Sequence, residues 1–377
     1  VTVAGPPPEV VCVGESMVTF LPSRPGRLAD VPSFTRAIGG AESNVACALA
    51  AAGHRARWTG RVGADGFGDH LTAALAAHGV DVTTVQRDPR RPTGVYFRTD
   101  ADRATDAHEV AYYRAGSAAS AMSPATVPHE SLDGARILHL TGITAALSAD
   151  CRALLHDLTA PRPGRPLVSF DVNHRPALWR DGDAAGVLLD LANRADLVFV
   201  GADEAETLWG APDARAVAAL VDRPAVLVVK HGPAGATAFD RTERAGGAGG
   251  TGGTRDTGGT GEARGTDGTG DTDGIDGSVH QERPPRVDVV STIGAGDAFA
   301  AGFLSATLRG LGLPARLRHG HLMAAAALTT PGDLATPPSR ARADRLAALD
   351  ADAWGRLRLG PGWTSADTEA DEEVRTR

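Results

Sequence analysis

Short, mostly apolar runs alternate along this chain with Ala-rich stretches of helical spacing. Val10 to Val13, Ile137 to Leu140, Leu167 to Asp171, Leu197 to Val200 and Val226 to Lys230 are the clearest runs, with Trp58 to Val62 a sixth. A strand with one solvated face alternates polar and apolar residues; these runs do not, so both their faces must be covered. The pattern predicts an α/β fold: a doubly wound, mostly parallel sheet with helices on both faces. Helices are expected from the stretch Ile38 to Asn44 through Ala52, with Gly53 as C-cap, and from Asp69 to His78. Open sheets of this type bind ligands beyond the carboxyl ends of their strands, so polar residues just after each run are where chemistry should lie.

The length, 377 residues, suits one large domain of this class or two modest ones; a single domain is expected over 10–340. A net charge of −8 argues against a general nucleic-acid binder, which needs a basic surface. No apolar run reaches the roughly 18 residues of a membrane span. The first residues, VTVAGPPPEV, have neither the charged nor the apolar region of a signal peptide. Cys12, Cys47 and Cys151 lie far apart in apolar surroundings, which predicts buried thiols in a reducing, cytoplasmic compartment rather than a disulfide frame or zinc site. Residues 246–277 hold 14 of the 46 glycines and almost no apolar side chains. They are expected to form a disordered insertion between Thr237-Ala238-Phe239 and a strand from Val287 to Val290. An acidic, flexible tail is expected over 365–377. The insertion carries −4 and the tail −3 of the net charge, which leaves the folded body near −1.

Thr93 to Thr99 and Glu109 to Arg114 read as two arms of a hairpin joined by the polar loop Asp100 to His108. Period-2 alternation puts Tyr96 and Arg98 on one face of the first arm, and Tyr112 and Arg114 on one face of the second. Such a face is a poor core face. It suits either an exposed hairpin or a small β lid, within about 15–36 and 93–115, that offers aromatic and cationic groups to an anionic ligand.

The strongest local motif runs from Val287 to Phe299: a strand, the turn Gly294-Ala295-Gly296, then Asp297 and a helix from Ala298 to Leu308. Such a turn lets an anion approach the backbone, and a helix start supplies free N–H groups and a positive dipole end. A carboxylate there repels a resident anion but serves a phosphoryl group in transfer, where Asp297 would take the proton of the attacking hydroxyl. Taken alone, the turn equally suits an Asp N-cap. Other nucleotide schemes fail. A Walker loop needs Gly-Lys-Ser/Thr, and the sole lysine, Lys230, ends a strand. A dinucleotide fingerprint needs glycine where Phe299 stands. His174-Arg175-Pro176 lacks the Asp of a protein-kinase catalytic loop. Three further polar groups follow strands: Asp171, Asn173 and Arg175; Lys230 with Gly232 and Gly235; and Glu204, which could hold magnesium-bound water. Taken singly, they equally suit a strand-to-loop polar cluster, a strand-ending turn and an exposed helical charge run.

Together these residues resemble the ribokinase-like (PfkB) carbohydrate kinases from about Val10 to Pro338. The likeness rests on Gly39-Gly40-Ala41-Glu42-Ser43-Asn44-Val45-Ala46, on Arg61-Val62-Gly63-Ala64-Asp65-Gly66-Phe67-Gly68 and on Gly294-Ala295-Gly296-Asp297-Ala298-Phe299. Within that family, the stretches Pro92 to Arg98, Tyr112 to Ser120, His139 to Ile143 and Phe170 to Trp179 are most similar to the 2-keto-3-deoxygluconate kinases. The resemblance implies ATP and Mg2+ and phosphorylation of the primary hydroxyl of a sugar acid. It implies Gly39, Gly40, Asn44, Tyr96, Tyr112, Arg114, Arg175 and Asp333 around the sugar acid. Asp171, Asn173, Lys230, Gly232, Gly235, Gly294 and Gly296 would hold ATP, Glu204 would serve the metal, and Gly294, Ala295, Gly296 and Asp297 would form the catalytic turn with Asp297 as base. Arg114 agrees physically, because a guanidinium pairs with a carboxylate that a neutral hexose lacks. Pairing of two lids into a homodimer is a further implication, and neither nucleic acid nor membrane is an expected partner.

Two positions depart from the family pattern. Ser291 stands where the family has Asp, which bears on a monovalent-cation site. Gly201 replaces the Asn of its Asn-x-x-Glu motif, which bears on how Glu204 is positioned. The alternatives are a fructokinase, ribokinase or nucleoside kinase of the same fold, and a weakly catalytic sugar or nucleotide sensor.

Overall fold

The computed structural model describes residues 6–24, 26–99, 109–179, 183–242 and 277–365. In chain order its strands are β1 (Val10–Val13), β2 (Met17–Pro22), β3 (Phe34–Gly39), β4 (Ala56–Thr59), β5 (Arg61–Gly63), β6 (Gln86–Asp88), β7 (Val95–Arg98), β8 (Val110–Tyr113), β9 (Ile137–Thr141), β10 (Leu167–Asp171), β11 (Leu197–Gly201), β12 (Val226–Lys230), β13 (Ala236–Asp240), β14 (Ser278–Glu282), β15 (Arg286–Val287) and β16 (Arg358–Leu359). Eight of them form the central sheet, in the order β14-β13-β12-β11-β10-β9-β1-β4. From β4 to β12 all pairings are parallel. β13 and β14 add an antiparallel hairpin at the far edge.

The mostly apolar runs have the expected cause. Val10 and Cys12 point to one face, where Phe199, Val228 and Phe303 pack beneath the helices Ala41–Ala51 and Ala295–Leu308. Val11 and Val13 point to the other, with Leu138, Phe170 and Val200 beneath the helices Ala149–Thr159 and Ala184–Arg194. All four β1 side chains are wholly buried. Cys12, Cys47 and Cys151 are buried free thiols, as expected.

Several boundaries differ from the expected ones. The run Trp58 to Val62 is two strands, broken at Gly60, where a Cβ would overlap the Trp58 ring at 2.4 Å and the Gly14 carbonyl at 2.7 Å. The helix expected from Asp69 starts at Gly66, capped by Asp65 accepting from the Gly68 N–H. The second arm of the sheet-edge hairpin is Ser278–Glu282, not Val287 to Val290: only Arg286–Val287 is strand, and Val289 and Val290 are exposed. β-branched residues alone could not separate these two segments, because the polar Ser278–Glu282 strand owes its place to pairing with β13. The insertion over 246–276, the loop Asp100 to His108 and the tail over 366–377 lie outside the described residues.

A second, four-stranded sheet in the order β3-β2-β7-β8 forms the lid. Its β7–β8 hairpin pairs Tyr96 with Tyr112. Lid strand β3 extends to Gly39, past the expected limit at 36.

The packed body also runs beyond 340. β16 pairs with β15, and Trp354, Leu357, Leu359 and Trp363 are buried against the helix Leu313–Leu328. Trp354 donates its indole N–H to the Arg283 carbonyl at 2.7 Å, beneath the Arg318 guanidinium. Trp354→Ala should therefore cost about 3–5 kcal/mol, as large-to-small core changes do. Urea denaturation measures this; an unchanged midpoint would show that the segment beyond 340 is not part of the core.

Candidate active site

A cleft of about 500 Å³ lies between the carboxyl edge of the central sheet and the lid. Asp171 ends β10, Lys230 ends β12 and Glu204 follows β11, so three neighbouring parallel strands deliver charged side chains to one spot. Lys230 Nζ donates to Asp171 Oδ2 at 2.7 Å. Burial works against the Lys230 charge, but Asp171, Glu204 and Asp297 outweigh it and hold the ammonium above its ordinary range. The other Asp171 oxygen, Oδ1, is buried with no hydrogen-bond partner. Asn173, two residues on, takes a left-handed backbone with φ of 40°, a conformation Asn tolerates better than most residues.

Opposite this group stands the Gly294–Asp297 turn. Gly294 has φ of 74°, and a Cβ there would lie 2.5 Å from the Asp333 carbonyl oxygen, so glycine is required. The helix begins at Ala295 rather than Ala298, which makes Gly294 the N-cap and puts Asp297 within the first turn. Asp297 is therefore not capping the helix. Its carboxyl is pushed up to about 7, chiefly by desolvation; Asn44, which donates to Oδ2 at 2.8 Å, works against that rise. Nearby Asp171 adds to the rise, while Lys230 and Arg175 oppose it.

Gly201 lacks the side chain an Asn would supply, yet its backbone N–H donates to Glu204 Oε2 at 3.0 Å. The main chain holds this carboxylate, and Arg175 lies 3.9 Å from its other oxygen. Burial raises the Glu204 carboxyl above the usual range. Ser291 turns its hydroxyl back to accept from the Ile293 N–H at 3.3 Å.

The lid closes the cleft with Tyr96, Arg98, Tyr112 and Arg114. The Tyr96 hydroxyl donates to Asp333 Oδ2 at 2.9 Å, and Arg98 donates to Asp333 Oδ1 at 2.8 Å. Arg114 is ion-paired with the buried Glu15, which also accepts from the Ser117 hydroxyl at 2.9 Å. Its guanidinium stands over the Tyr112 ring, 5.6 Å from the centroid.

The cleft thus gathers most of the residues expected from sequence: Gly39, Gly40, Asn44, Tyr96, Tyr112, Arg114, Asp171, Asn173, Arg175, Glu204, Lys230, Gly294, Gly296, Asp297 and Asp333. Gly232 and Gly235 form the turn after β12 and are not among its walls, and neither is Ala295. Lys230 belongs to the acidic end of the cleft through Asp171, rather than to that glycine turn. Sequence reasoning missed Glu15, and it placed Arg98 on the lid face without assigning it to the site. Each carried a signal: Glu15 follows the first strand, and Arg98 shares the Tyr96 face.

Comparison with known proteins identifies the family. The profile of the pfkB family carbohydrate kinases matches residues 7–272 and 262–340. The chain is 34% identical over 338 residues to a 2-dehydro-3-deoxygluconokinase of Bacillus subtilis, covering 88% of this chain and 93% of that one. It is 35% identical over 204 residues to a fructokinase of rice (Oryza sativa), covering 53% of this chain and 62% of that one. A PfkB protein from Polaromonas superposes with a TM-score of 0.72 at 32% identity, covering 89% of this chain and 99% of that one. The chain belongs to the pfkB family of carbohydrate kinases.

Proposed function

We propose that this kinase uses ATP to phosphorylate the primary hydroxyl of 2-keto-3-deoxygluconate or a closely related sugar acid. The observation that carries the acid is Arg114. Beyond its pairing with Glu15, its Nε–H is buried in the cleft wall without a hydrogen-bond acceptor. A buried, unmet guanidinium donor favours a ligand carboxylate, and the flanking Tyr96 and Tyr112 hydroxyls suit a polyhydroxylated chain. The relative from Bacillus subtilis supports the same substrate class. The similarity to the rice enzyme keeps a neutral sugar as the rival.

Asp297 accepts the hydroxyl proton as the substrate oxygen forms its bond to the γ-phosphorus. The bond between that phosphorus and the β–γ bridging oxygen breaks, and ADP leaves. Backbone N–H groups at the start of the helix Ala295–Leu308 face the charge that develops on the phosphoryl oxygens. The lid excludes water, which protects ATP from hydrolysis.

Asp171, Glu204 and Asp297 outnumber Lys230 and Arg175, so a polyphosphate needs a counter-cation here. The orphaned Asp171 Oδ1 and the Glu204 carboxylate fit Mg2+, which keeps several waters and needs only one or two protein carboxylates. When bound, it would offset phosphate charge.

The opposite face of the lid gathers Phe20, Phe34, Phe97 and Tyr113 in ring-to-ring contact, with Tyr113 66% exposed. This aromatic face supports a homodimer through the lids. Buried free thiols support a reducing, cytoplasmic setting. No helix among the described residues is long and apolar enough to cross a membrane.

Asp297→Asn should lower turnover by roughly 10³-fold or more with little change in ATP affinity. Retained turnover would remove Asp297 as the base. A base must be ionised, so kcat/KM should fall as pH drops below about 7. Arg114→Ala should raise KM for the sugar acid by about tenfold or more while leaving KM for fructose nearly unchanged. Equal effects on both substrates would favour the neutral-sugar rival. Tyr113→Glu should shift the protein from dimer to monomer in sedimentation velocity, and an unaltered distribution would exclude this face.

A further inference from the structure

Glu42 takes no part in the cleft chemistry above, yet it is a carboxylate at 0% exposure in the first turn of the helix Ala41–Ala51. Its Oε1 accepts from the Thr141 hydroxyl at 2.8 Å and from the Thr144 hydroxyl at 2.7 Å. Oε2 has no hydrogen-bond partner. Gly14, at the end of β1, presses on the same group: a Cβ there would lie 2.1 Å from the carboxyl carbon. One side chain therefore ties the end of β1, the end of β9, the helix Gly142–Leu147 and the start of the helix Ala41–Ala51 together.

Several helix starts among the described residues are fastened by a side chain of their own cap, such as Asp65 and Ser148. The cap of Ala41–Ala51 is Gly40, which has no side chain for the task. Nor can it gain one, because a Cβ on Gly40 would sit 2.4 Å from the Glu15 carbonyl oxygen. Glu42 supplies the missing fastening from inside the helix. Two residues later the same turn presents Asn44, whose amide donates to Asp297.

We infer that Glu42 is a positioning residue, seating this helix turn on the ends of β1 and β9 so that Asn44 stays within hydrogen-bonding distance of Asp297. The inference rests on Asp297 being the base. Asp297 faces Asn44, Asp171, Lys230 and Arg175. Glu42 faces the two threonines, Glu15 and the Cys12 thiol. Burial lifts Glu42 to about 6, so it is mostly ionised at neutral pH and accepts both hydroxyl bonds.

The test is kcat/KM against pH, with melting temperatures, for variants of the full chain. Asn44→Ala removes a donor that favours ionised Asp297, so the acid limb should move to higher pH by about one unit. Glu42→Ala should move it in the same direction and lower kcat by about tenfold, adding little when combined with Asn44→Ala. Glu42→Gln retains an oxygen acceptor and should restore the limb. If Glu42→Ala fails to fold, Thr144→Val, which removes one hydroxyl donor, should give a smaller shift in the same direction. A limb that Asn44→Ala moves but Glu42→Ala and Thr144→Val leave in place overturns the inference, even if melting temperatures fall. A limb that Asn44→Ala does not move instead overturns Asp297 as the titrating base, and the inference falls with it.

Discussion

Covering both faces of a parallel sheet leaves its carboxyl edge as the place where charge can persist. Everything at the cleft follows from that constraint. Val226 to Val229 are fully enclosed, but the next residue, Lys230, is partly exposed. Its ammonium would be costly to hold there without Asp171 at 2.7 Å. Asp171 in turn ends β10, one strand removed from β12, with β11 and Glu204 between them. The strand order thus sets the spacing of the charges along the cleft.

The lid is bound to this edge by charge rather than by apolar packing alone. Tyr96 and Arg98 both reach Asp333, while Arg114 reaches Glu15 in the short segment that follows β1. Burial raises the Asp333 carboxyl, and its bonds to Arg98 and Tyr96 oppose that rise. Asp333 also lies against Gly294 through its own carbonyl oxygen. One residue therefore touches both the lid and the turn that leads to Asp297, so the position of the lid and the shape of that turn are mechanically linked.

Much of this was legible beforehand where a local rule applied. Continuous burial of β1, β9, β10, β11 and β12 follows from apolar runs of strand length, and the tight turn at Gly294 from small residues before a helix. The Tyr96 and Arg98 face follows from period-2 alternation. Legibility ended where a partner distant in sequence decided the outcome. Ser278–Glu282 is polar and becomes a strand because β13 offers an unpaired edge. Trp354 and Trp363 become core because the helix Leu313–Leu328 presents an apolar face. Arg114 reads as a free cation, and its pairing with Glu15 depends on a contact across 99 positions of sequence.

By itself, the sequence determined the fold class through periodicity and the family through motifs that resemble known members, because both have fixed backbone consequences. Only the tertiary structure decided how the groups of the cleft share charge. It placed Asp297 within the helix rather than at its cap, gave it Asn44 as a donor, and lifted its carboxyl to about 7. It also enclosed Glu42 between two threonines and Gly14. The reason is that desolvation and hydrogen bonding act between groups brought together by folding, over distances no local pattern encodes.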